Sequence, residues 1–416
     1  MRITGLHAVD LRFPLIGGAG SDSVHVDPTY SFATCILETA EGVFGTGFAL
    51  TLGRGNDLVC RAIEYHEPLV VGTRLSDVVA RLGVYFSQWA NESQLRWLGP
   101  QKGVVHLALA AVLNAVVDAW AKAEGKPLWR LLLDLAPEQV VELVDFTTIG
   151  DYLTREEAIE LLRTSRIPES ELDHLLANGY PAYDTSVGWL GYSRDDLVAN
   201  AFRSLELGYS ALKLKVGKSD LREDVERVAS VREAIGADTM LMIDANQIWD
   251  VERAVIAGRA LAEYDPFWLE EPVHPDDVFG YRAVVDALAP IRIAGGEHCS
   301  NQVLFKNLIR AEALHIVQPD AVRLGGLPEY LAVALLAAKA GLVALPHVGD
   351  MAQLHQHLIV FTRVALGMPE LPLEMIPHLA EHFQDPCRLS RGAYVLPQTA
   401  GATTTFTDEA IARYSL

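Results

Sequence analysis

From Tyr180 onward the sequence alternates short apolar runs with helical segments, and this alternation limits the possible folds more than any other feature. Amphipathic stretches such as 220–235 and 329–340 separate the runs. Eight strands joined by helical crossovers over about 200 residues are typical of a (β/α)₈ barrel. We therefore predict an α/β fold with a barrel over residues 181–375. The runs are PAYDTS (181–186), LKLK (212–215), MLMID (240–244), PFWLE (266–270), IRIAGGE (291–297), LHIVQPD (314–320), LVALPH (342–347) and LPLEM (371–375).

The beginning of the chain follows a different order, with strand-like pieces before helical ones. The strand-like pieces are ITGLHAVDLRF, FATCILETA and VFGTGFAL, and helical patterns follow at 56–71, 75–89 and 102–124. Strands followed by helices predict a separate α+β unit over residues 1–134. Residues 135–180 are rich in Glu, Asp and Arg, and we interpret them as an inserted helical or linker segment.

Composition and charge exclude several classes of function. The chain has 416 residues and a formal net charge of −20. This acidic balance argues against a surface for nucleic acid or an anionic membrane, and an anionic ligand would need local cations or a metal ion. The longest apolar stretches are bounded by His or charged residues, so we expect core helices rather than membrane spans. The N-terminus, MRITGLHAVDLRFPL, resembles a strand rather than a signal peptide. Four cysteines without CxxC spacing fit a reducing cytoplasm.

Nearly every apolar run of the predicted barrel ends in an ionisable residue. Consecutive members of this series lie 23 to 29 residues apart, about the length of one βα unit. Each should therefore lie at the same height on the next strand, at the rim where barrels carry their active sites. The series is Lys215, Asp244, Glu270, Glu297, Asp320, His347 and Glu374.

Two lysines alternate with leucines in the segment LKLK. Lys213 and Lys215 must share one face of the strand because side chains alternate with a period of two. In an isolated strand, that face would usually meet water at a sheet edge. In a barrel it points into the mouth, where the two ammonium groups would lower the pKa of at least one of them. A lysine whose pKa is lowered in this way can act as a general base.

Three carboxylates, on Asp244, Glu270 and Glu297, are expected on consecutive strands. Carboxylates that converge repel one another, and all-oxygen ligation favours Mg²⁺. The alternative is that each carboxylate pairs with a nearby Arg or Lys.

Asp320 and His347 end adjacent strands. The aspartate can accept a hydrogen bond from the imidazole and fix its tautomer. Alternatively, His347 is an ordinary histidine at the barrel rim. Glu374 could hydrogen-bond an oxyanion if protonated, or could simply pair with a neighbouring His or Lys.

A metal and a lysine opposite a His–Asp pair suggest chemistry at the carbon next to a carboxylate. The proton on that carbon is too weakly acidic for either base alone, so the metal must stabilise the enediolate that forms. Reprotonation would give racemisation, and loss of a β-hydroxyl would give dehydration.

Several motifs together resemble the mandelate-racemase branch of the enolase superfamily. They are KLK (213–215), IDANQ (243–247), WLEEP (268–272), GGEH (295–298), QPDAVRLGG (318–326) and PH (346–347). The resemblance implies a modified TIM barrel beneath an N-terminal α+β capping domain. It also implies that the C-terminal segment, residues 376–416, returns to complete that cap.

A further set of motifs is similar to L-fuconate dehydratases. It comprises GRGND (53–57), SQLRWLGPQKG (93–103), KPLWR (126–130), PAYDTSVGWLGYS (181–193), HPDD (274–277) and HFQDP (382–386). This resemblance implies that Lys215 removes the C2 proton with help from Lys213. His347, oriented by Asp320, would protonate the departing 3-hydroxyl, although which of Lys215 and His347 takes the first proton stays open. The implied product is a 2-keto-3-deoxy acid.

The same resemblance implies the remaining ligands and partners. Mg²⁺ would bind Asp244, Glu270 and Glu297, and the substrate would be a small acid sugar held by residues that include Asn246, His298, Glu374 and Trp189. We expect a homo-oligomer without nucleic-acid or membrane partners. Three alternatives stay open: a racemase or epimerase of a 2-hydroxy acid, a dehydratase for another aldonate or aldarate, and a scaffold or RNA-associated protein that has lost activity.

The segment after His347 departs from the fuconate dehydratase pattern. Those enzymes have a longer Gly-rich stretch with Cys-Glu before Gln-His-Leu, whereas this chain has HVGDMAQLHQHL. Because the segment follows the barrel mouth, we expect Asp350 and Gln353 as candidate substrate contacts or as parts of a solvated loop. The cap loops near 20–31 and 50–56 are expected to select the sugar.

Overall fold

A three-stranded antiparallel sheet opens the chain, in the order β1-β2-β3. The computed structural model describes residues 1–15, 17–26, 28–99 and 101–416. The strands alternate polar and apolar residues, and their apolar face is covered by helices. The strands are β1 (Ile3–Pro14), β2 (Thr29–Thr39) and β3 (Phe44–Thr51).

Six helices follow this sheet. The longest of them is apolar enough to cross a membrane by length and composition, yet it is mostly buried against β2 and β3. Two glycines of β3 allow this close packing, because a Cβ on Gly45 or Gly47 would collide with the backbone of that helix. The helices are α1 (Asn56–Tyr65), α2 (Glu67–Val70), α3 (Leu75–Val79), α4 (Leu82–Ala90), α5 (Val104–Ala123) and α6 (Leu128–Asp134).

The polar segment before the barrel forms three helices, of which the first packs against α4 of the cap and the other two lie against the barrel's exterior. They are α7 (Pro137–Glu142), α8 (Arg155–Thr164) and α9 (Glu169–Asn178). Ion pairs join two of these helices to the helices that surround the barrel, between Glu157 and Lys339 at 2.6 Å and between Glu171 and Arg363 at 3.0 Å. A third pair joins Asp151, in the preceding loop, to Lys306 at 2.6 Å.

Eight parallel strands form the second half of the chain, at the positions where the apolar runs predicted them. They pair in the order β10-β9-β8-β7-β6-β5-β4, and β11 pairs with the other side of β4. Within the described residues no backbone pairing joins β10 to β11, so the barrel is closed there by packing. The strands are β4 (Tyr180–Gly188), β5 (Ala211–Lys215), β6 (Met240–Asp244), β7 (Trp268–Glu270), β8 (Arg292–Gly295), β9 (Ile316–Val317), β10 (Val343–Ala344) and β11 (Leu373–Met375).

A helix follows each of the first seven barrel strands. The first five of these helices start at a capping side chain: for example, Ser193 and Asp196 form a capping box, and Asn301 accepts hydrogen bonds from two backbone amides. The helices are α10 (Arg194–Glu206), α11 (Leu221–Ile235), α12 (Val251–Leu261), α13 (Val278–Leu288), α14 (Gln302–Arg310), α15 (Leu327–Lys339) and α16 (Leu354–Ala365).

The C-terminal segment returns to the first sheet. It forms β12 (Leu389–Ser390), β13 (Ala393–Tyr394) and α17 (Asp408–Tyr414). The Phe406 ring packs against Phe13, Phe32 and Phe48, with centroids 5.4 to 5.7 Å apart. The buried carboxylate of Asp118 accepts hydrogen bonds from the amides of Thr46 and Ala402, and so links the sheet, α5 and the tail.

The α/β fold predicted from the sequence is confirmed: a strand-containing cap is followed by a barrel of parallel strands. In the structure α6 ends at Asp134, β4 begins at Tyr180 and β11 ends at Met375.

Candidate active site

The backbone register of the barrel explains why the ionisable residues meet. Lys215 is the register partner of Asp244, and Asp244 is the partner of Glu270, so these three residues lie at one height on neighbouring strands. Glu297 follows β8 by two residues, whereas Asp320 and His347 each follow their strands by three. All seven residues of the series are buried.

Asp244, Glu270 and Glu297 offer one oxygen each within 4.8 Å of one another. Burial and the nearby charges of Asp244 and Glu374 outweigh the attraction of Lys213 and raise the pKa of Glu270 to about 8. Oε2 of Glu297 is buried and, within the residues that the structure describes, makes no hydrogen bond of good geometry, although Nε2 of His347 lies 3.2 Å from it. Crowded carboxylates with an unused oxygen suit a divalent cation, and an all-oxygen donor set suits Mg²⁺.

A second group, formed by Glu271, Glu297 and His298, also has ligand atoms within 4.8 Å of one another. Here the guanidinium of Arg323 already lies 3.3 Å from Oε1 of Glu297, and Nδ1 of His298 lies 3.0 Å from Glu271. The second group has two carboxylates and one imidazole, whereas the first has three carboxylates, so the first group fits an all-oxygen Mg²⁺ site better.

Asp244, Glu270 and Glu297, which we call the metal-type cluster, each also have a cationic neighbour. This is the alternative arrangement that the sequence analysis considered. Nζ of Lys215 lies 2.6 Å from Asp244, and Nζ of Lys213 lies 2.7 Å from Glu270. The structure therefore combines features of both interpretations, metal binding and ion pairing. The lysines lie beside the cluster but do not pair with Oε2 of Glu297.

The predicted lowering of a lysine pKa is wrong. Burial lowers the pKa of Lys213, but Glu270 and Glu374 outweigh it and hold that pKa well above the ordinary value. For Lys215, burial is likewise outweighed, chiefly by Asp244. The carboxylates lie closer to each ammonium group than the sequence could indicate, so attraction exceeds the repulsion between the lysines. A divalent cation competes for the same negative charge and opposes this shift.

His347 and Asp320 form the expected pair. Nδ1 of His347 lies 2.6 Å from Oδ2 of Asp320, which leaves Nε2 facing the carboxylates, 3.2 Å from Glu297. Burial favours a neutral Asp320, but the adjacent histidines His355 and His347 hold its pKa well below the usual range. Burial also disfavours charge on His347, whereas Glu297 and Glu374 raise its pKa. The pair thus presents one imidazole nitrogen to the site with a fixed orientation.

Glu374 pairs with a cation, one of the two roles left open. Its Oε1 lies 2.8 Å from Nζ of Lys213, and the Val348 amide donates to Oε2 at 3.3 Å. Burial opposes ionisation, but Lys213 and His347 lower the pKa of Glu374 to about 2. An ionised Glu374 accepts hydrogen bonds and cannot donate one to an oxyanion.

A cavity of about 480 Å³, part of it open to solvent, lies above these groups and is walled by both cap and barrel. Lys215, Glu297 and His347 face it, whereas Lys213, Asp244, Glu270 and Asp320 lie behind its wall. The other lining residues are Gly20, Asp22, His25, Tyr30, Leu50, Leu52, Trp189, Asn246, His298, Arg323, Met351, Glu374 and Ile376.

All four residues expected to contact substrate lie in this wall: Asn246, His298, Glu374 and Trp189. Oδ1 of Asn246 is buried and accepts no hydrogen bond within the described chain, and Nε1 of Trp189 likewise donates none. Nζ of Lys215 lies 5.7 Å from the centre of the Trp189 ring. These unused polar atoms are available to a polar ligand.

The sequence did not single out four polar residues of the wall: Asp22, His25, Tyr30 and Arg323. Nδ1 of His25 lies 2.9 Å from Asp22, in a cap segment for which only the range 20–31 could be anticipated. Asp27 of that range lies outside the described residues. The motif QPDAVRLGG contained a usable signal for Arg323, because it places a cation three residues after Asp320.

Asp350 and Gln353 do not line the cavity, and both are buried. Asp350 accepts from the Leu354 amide at 2.7 Å, and Gln353 donates to the Asp385 carbonyl at 2.9 Å. The expected substrate contacts are therefore not supported, because the segment turns into the protein to begin α16. Only Met351 of this segment reaches the cavity.

Comparison with known proteins identifies the family. Residues 196–410 match the family model described as enolase C-terminal domain-like. L-galactonate dehydratase of Hypocrea jecorina is 43% identical over 421 residues, which are 99% of this chain and 93% of that protein.

Two crystal structures share the fold over the full chain. Human mitochondrial enolase superfamily member 1 aligns with a TM-score of 0.96 and 42% identity, covering 100% of this chain and 96% of that one. L-talarate/galactarate dehydratase of Salmonella typhimurium, with Mg and L-lyxarohydroxamate bound, aligns with a TM-score of 0.81 and 25% identity over 100% and 93% of the two chains. The chain matches the family model, has full-length relatives and carries the motifs whose residues form the cluster at the strand ends. It therefore belongs to the enolase and mandelate racemase superfamily.

Proposed function

We propose that this protein is a Mg²⁺-dependent acid-sugar dehydratase that acts on L-fuconate or a close aldonate. The observation that carries the proposal is the position of Lys215 and of the His347–Asp320 pair. Lys215, at the end of β5, and His347, after β10, face one cavity and flank three clustered carboxylates, and Asp320, after β9, supports His347 from behind the cavity wall. A carbon acid needs this combination of a base, an acid and a site for positive charge.

Asp244, Glu270 and Glu297 would hold the metal. When bound, Mg²⁺ supplies positive charge that stabilises the negative charge developing on the substrate carboxylate. Lys213 neutralises Glu270 and Glu374 beneath the cavity.

Lys215 would remove the proton from C2. Its Nζ lies at the cavity wall beside Asp244 and below Trp189, and must be neutral when it accepts the proton. The electron pair of the broken C2–H bond forms the C2=C3 double bond when the C3–O bond breaks, which gives an enol.

His347 would donate a proton from Nε2 to the hydroxyl on C3. The C3–O bond then breaks, the hydroxyl leaves as water, and the enol product becomes the 2-keto-3-deoxy acid. Asp320 accepts from Nδ1 and keeps Nε2 directed at the substrate.

L-fuconate is 6-deoxy-L-galactonate, so the two acids share their configuration from C2 to C5 and differ only in the hydroxyl at C6. The sequence motifs favour the first acid, and a full-length relative is named for the second. The cavity offers a polar side at Asp22 and His25 and an apolar side at Leu50, Leu52 and Ile376. We therefore propose the L-galacto configuration as the shared substrate feature and place L-fuconate first.

A screen of aldonic and aldaric acids with Mg²⁺, scored for 2-keto acid, tests this function. We expect turnover of L-fuconate or L-galactonate, and loss of turnover in Lys215→Ala and His347→Asn. Running the screen in D₂O separates the alternative reaction, because a racemase or epimerase would exchange the C2 proton without forming a keto acid. Full activity in both variants would refute the assigned roles.

A further inference from the structure

Behind the His347–Asp320 pair lies a second histidine with its own aspartate. His355, on α16, is completely buried, with Nδ1 2.6 Å from Oδ1 of Asp350 and Nε2 3.2 Å from Oδ1 of Asp320. The two imidazoles thus lie on opposite oxygens of one carboxylate, because His347 contacts Oδ2. The four side chains form a continuous buried series from the cavity wall to the interior.

We propose that His355, anchored by Asp350, is a positioning residue that fixes the Asp320 carboxylate and thereby the orientation of the acid His347. The effect of this positioning on kcat rests on the proposed dehydration. His355 touches neither the cavity nor the metal-type carboxylates, so it acts only through Asp320.

The geometry explains how the carboxylate is held. Oδ1 of Asp320 accepts from the Val322 amide at 2.9 Å, and Oδ2 receives the Gly349 amide at 3.2 Å in addition to His347. His355 adds the one side-chain contact on the Oδ1 side. A carboxylate held on both oxygens cannot rotate freely, so it presents Oδ2 to His347 with one orientation.

Two contacts of Nε2 of His355 require different protonation states. The Ala321 amide lies 2.9 Å from Nε2 and would donate only to an unprotonated nitrogen, whereas Asp320 at 3.2 Å needs a protonated one. We favour the protonated ring, because it lies between two buried carboxylates that would otherwise repel each other without compensation. Burial opposes this charge, but Asp350 and Asp320 raise the pKa of His355 to about 10.

Both Asp350 and His355 belong to HVGDMAQLHQHL, the segment where this chain departs from the fuconate dehydratase pattern. In this chain the segment therefore supports the acid through these two residues and reaches the cavity wall through Met351. Asp350 also caps α16 through the Leu354 amide, so its substitution combines two effects. His355 does not cap α16, and its other contact is with the Ala321 amide, which makes it the residue to vary.

The test compares His355→Phe with His357→Phe in the Mg²⁺-loaded enzyme, with L-fuconate as substrate. His357 lies two residues along the same helix, is equally buried, and contacts Trp129 and Thr403 instead of the pair. We expect His355→Phe to lower kcat by about 10-fold with little change in KM, the lower end of the effect of removing a direct outer partner, because His355 acts on His347 through Asp320. His357→Phe should retain wild-type kcat.

His355→Gln supplies the rescue arm, because its amide can still donate towards Asp320. We expect it to recover part of the lost kcat, and it replaces His355→Phe if that variant does not fold. Equal losses in the variants at 355 and 357, or unchanged kcat in a folded variant at 355, would overturn the proposal.

A measurement without substrate separates this proposal from the proposed function. In protein labelled with ¹⁵N-histidine, the ring signals of His347 should shift in the variants at 355 and stay in place in His357→Phe. If no aldonate is dehydrated by the wild type, the proposed function fails while this comparison still decides the positioning role. Unshifted His347 signals in both variants at 355 would refute that role.

Discussion

Lys213 reaches across β4 to Glu374, so that its Nζ lies 2.8 Å from Oε1 of a residue on the last barrel strand. The same ammonium group lies 2.7 Å from Glu270 and 3.4 Å from Asp244. One buried cation therefore serves three carboxylates on three different strands. It links the first and last parts of the barrel at the level of the candidate metal site.

Replacing Lys213 should destabilise the protein strongly. Lys213→Met keeps the aliphatic stem but leaves buried carboxylates without compensation, and breaking such a pair costs about 3–5 kcal/mol. The free energy of unfolding in urea measures this loss. Lys339→Met removes a more exposed pair with Glu157 and should cost less than about 1 kcal/mol. Similar costs for the two variants would contradict the central role of Lys213.

Magnesium should bind to and stabilise the folded protein. At a free concentration 100 times its dissociation constant, a ligand of the native state adds about 2.7 kcal/mol of stability. Asp244→Asn and Glu297→Gln should weaken Mg²⁺ binding in calorimetry and remove the stabilisation. Asp286→Asn, which alters an ion pair with Arg282 on the barrel exterior, should leave it intact. Unchanged binding in the first two variants would place the metal elsewhere.

Asp224 should make stability depend on pH at the start of α11. Burial raises its pKa to about 6, although the amides of Gly217 and Lys218 donate to Oδ2. Between about pH 4 and 6 the unfolded state releases its proton first, so the folded state is penalised as pH rises.

Asp224→Asn can keep the two amide contacts and removes this penalty. At pH 7 it should raise the free energy of unfolding by about 2 kcal/mol, and the gain should vanish below about pH 4. Urea unfolding at both pH values measures the difference. A gain that is equal at pH 4 and pH 7 would show that ionisation is not its cause.

His25 should contribute to substrate affinity. It pairs with Asp22 at 2.9 Å in the polar part of the cavity wall. His25→Leu should raise KM by about 10- to 100-fold, the cost of losing a hydrogen bond that involves a charged group, with a smaller effect on kcat. His7→Leu, an exposed histidine of β1 outside the cavity, should change neither constant. An unchanged KM in His25→Leu would remove this residue from the binding surface.

The spacing of ionisable residues allowed the barrel and its site groups to be predicted, because register is a local property of each βα unit. Lys215, Asp244 and Glu270 illustrate this, since their predicted common height is the observed register. The lysine pKa could not be predicted in this way. It depends on how closely Glu374, far away in sequence, approaches Lys213 in the folded barrel.

Loops set the second limit of the sequence analysis. Asp350 follows a barrel strand as the site residues do, yet its loop turns inward and the side chain meets His355 instead of the cavity. Asp22 and His25 come from a cap segment whose approach to the barrel depends on tertiary packing. Local sequence patterns do not indicate that the loop after β10 turns inward, or how the cap segment approaches the barrel.

The aromatic contacts of Phe406 have a consequence for the order of events during synthesis. The strands of the cap sheet are synthesised before the barrel, but Phe13, Phe32 and Phe48 receive this partner from a residue that follows the last barrel strand. The cap therefore cannot complete its core until every barrel strand has been synthesised. A nascent chain that ends before Phe406 should already contain the barrel strands while its cap is still open to chaperones and proteases.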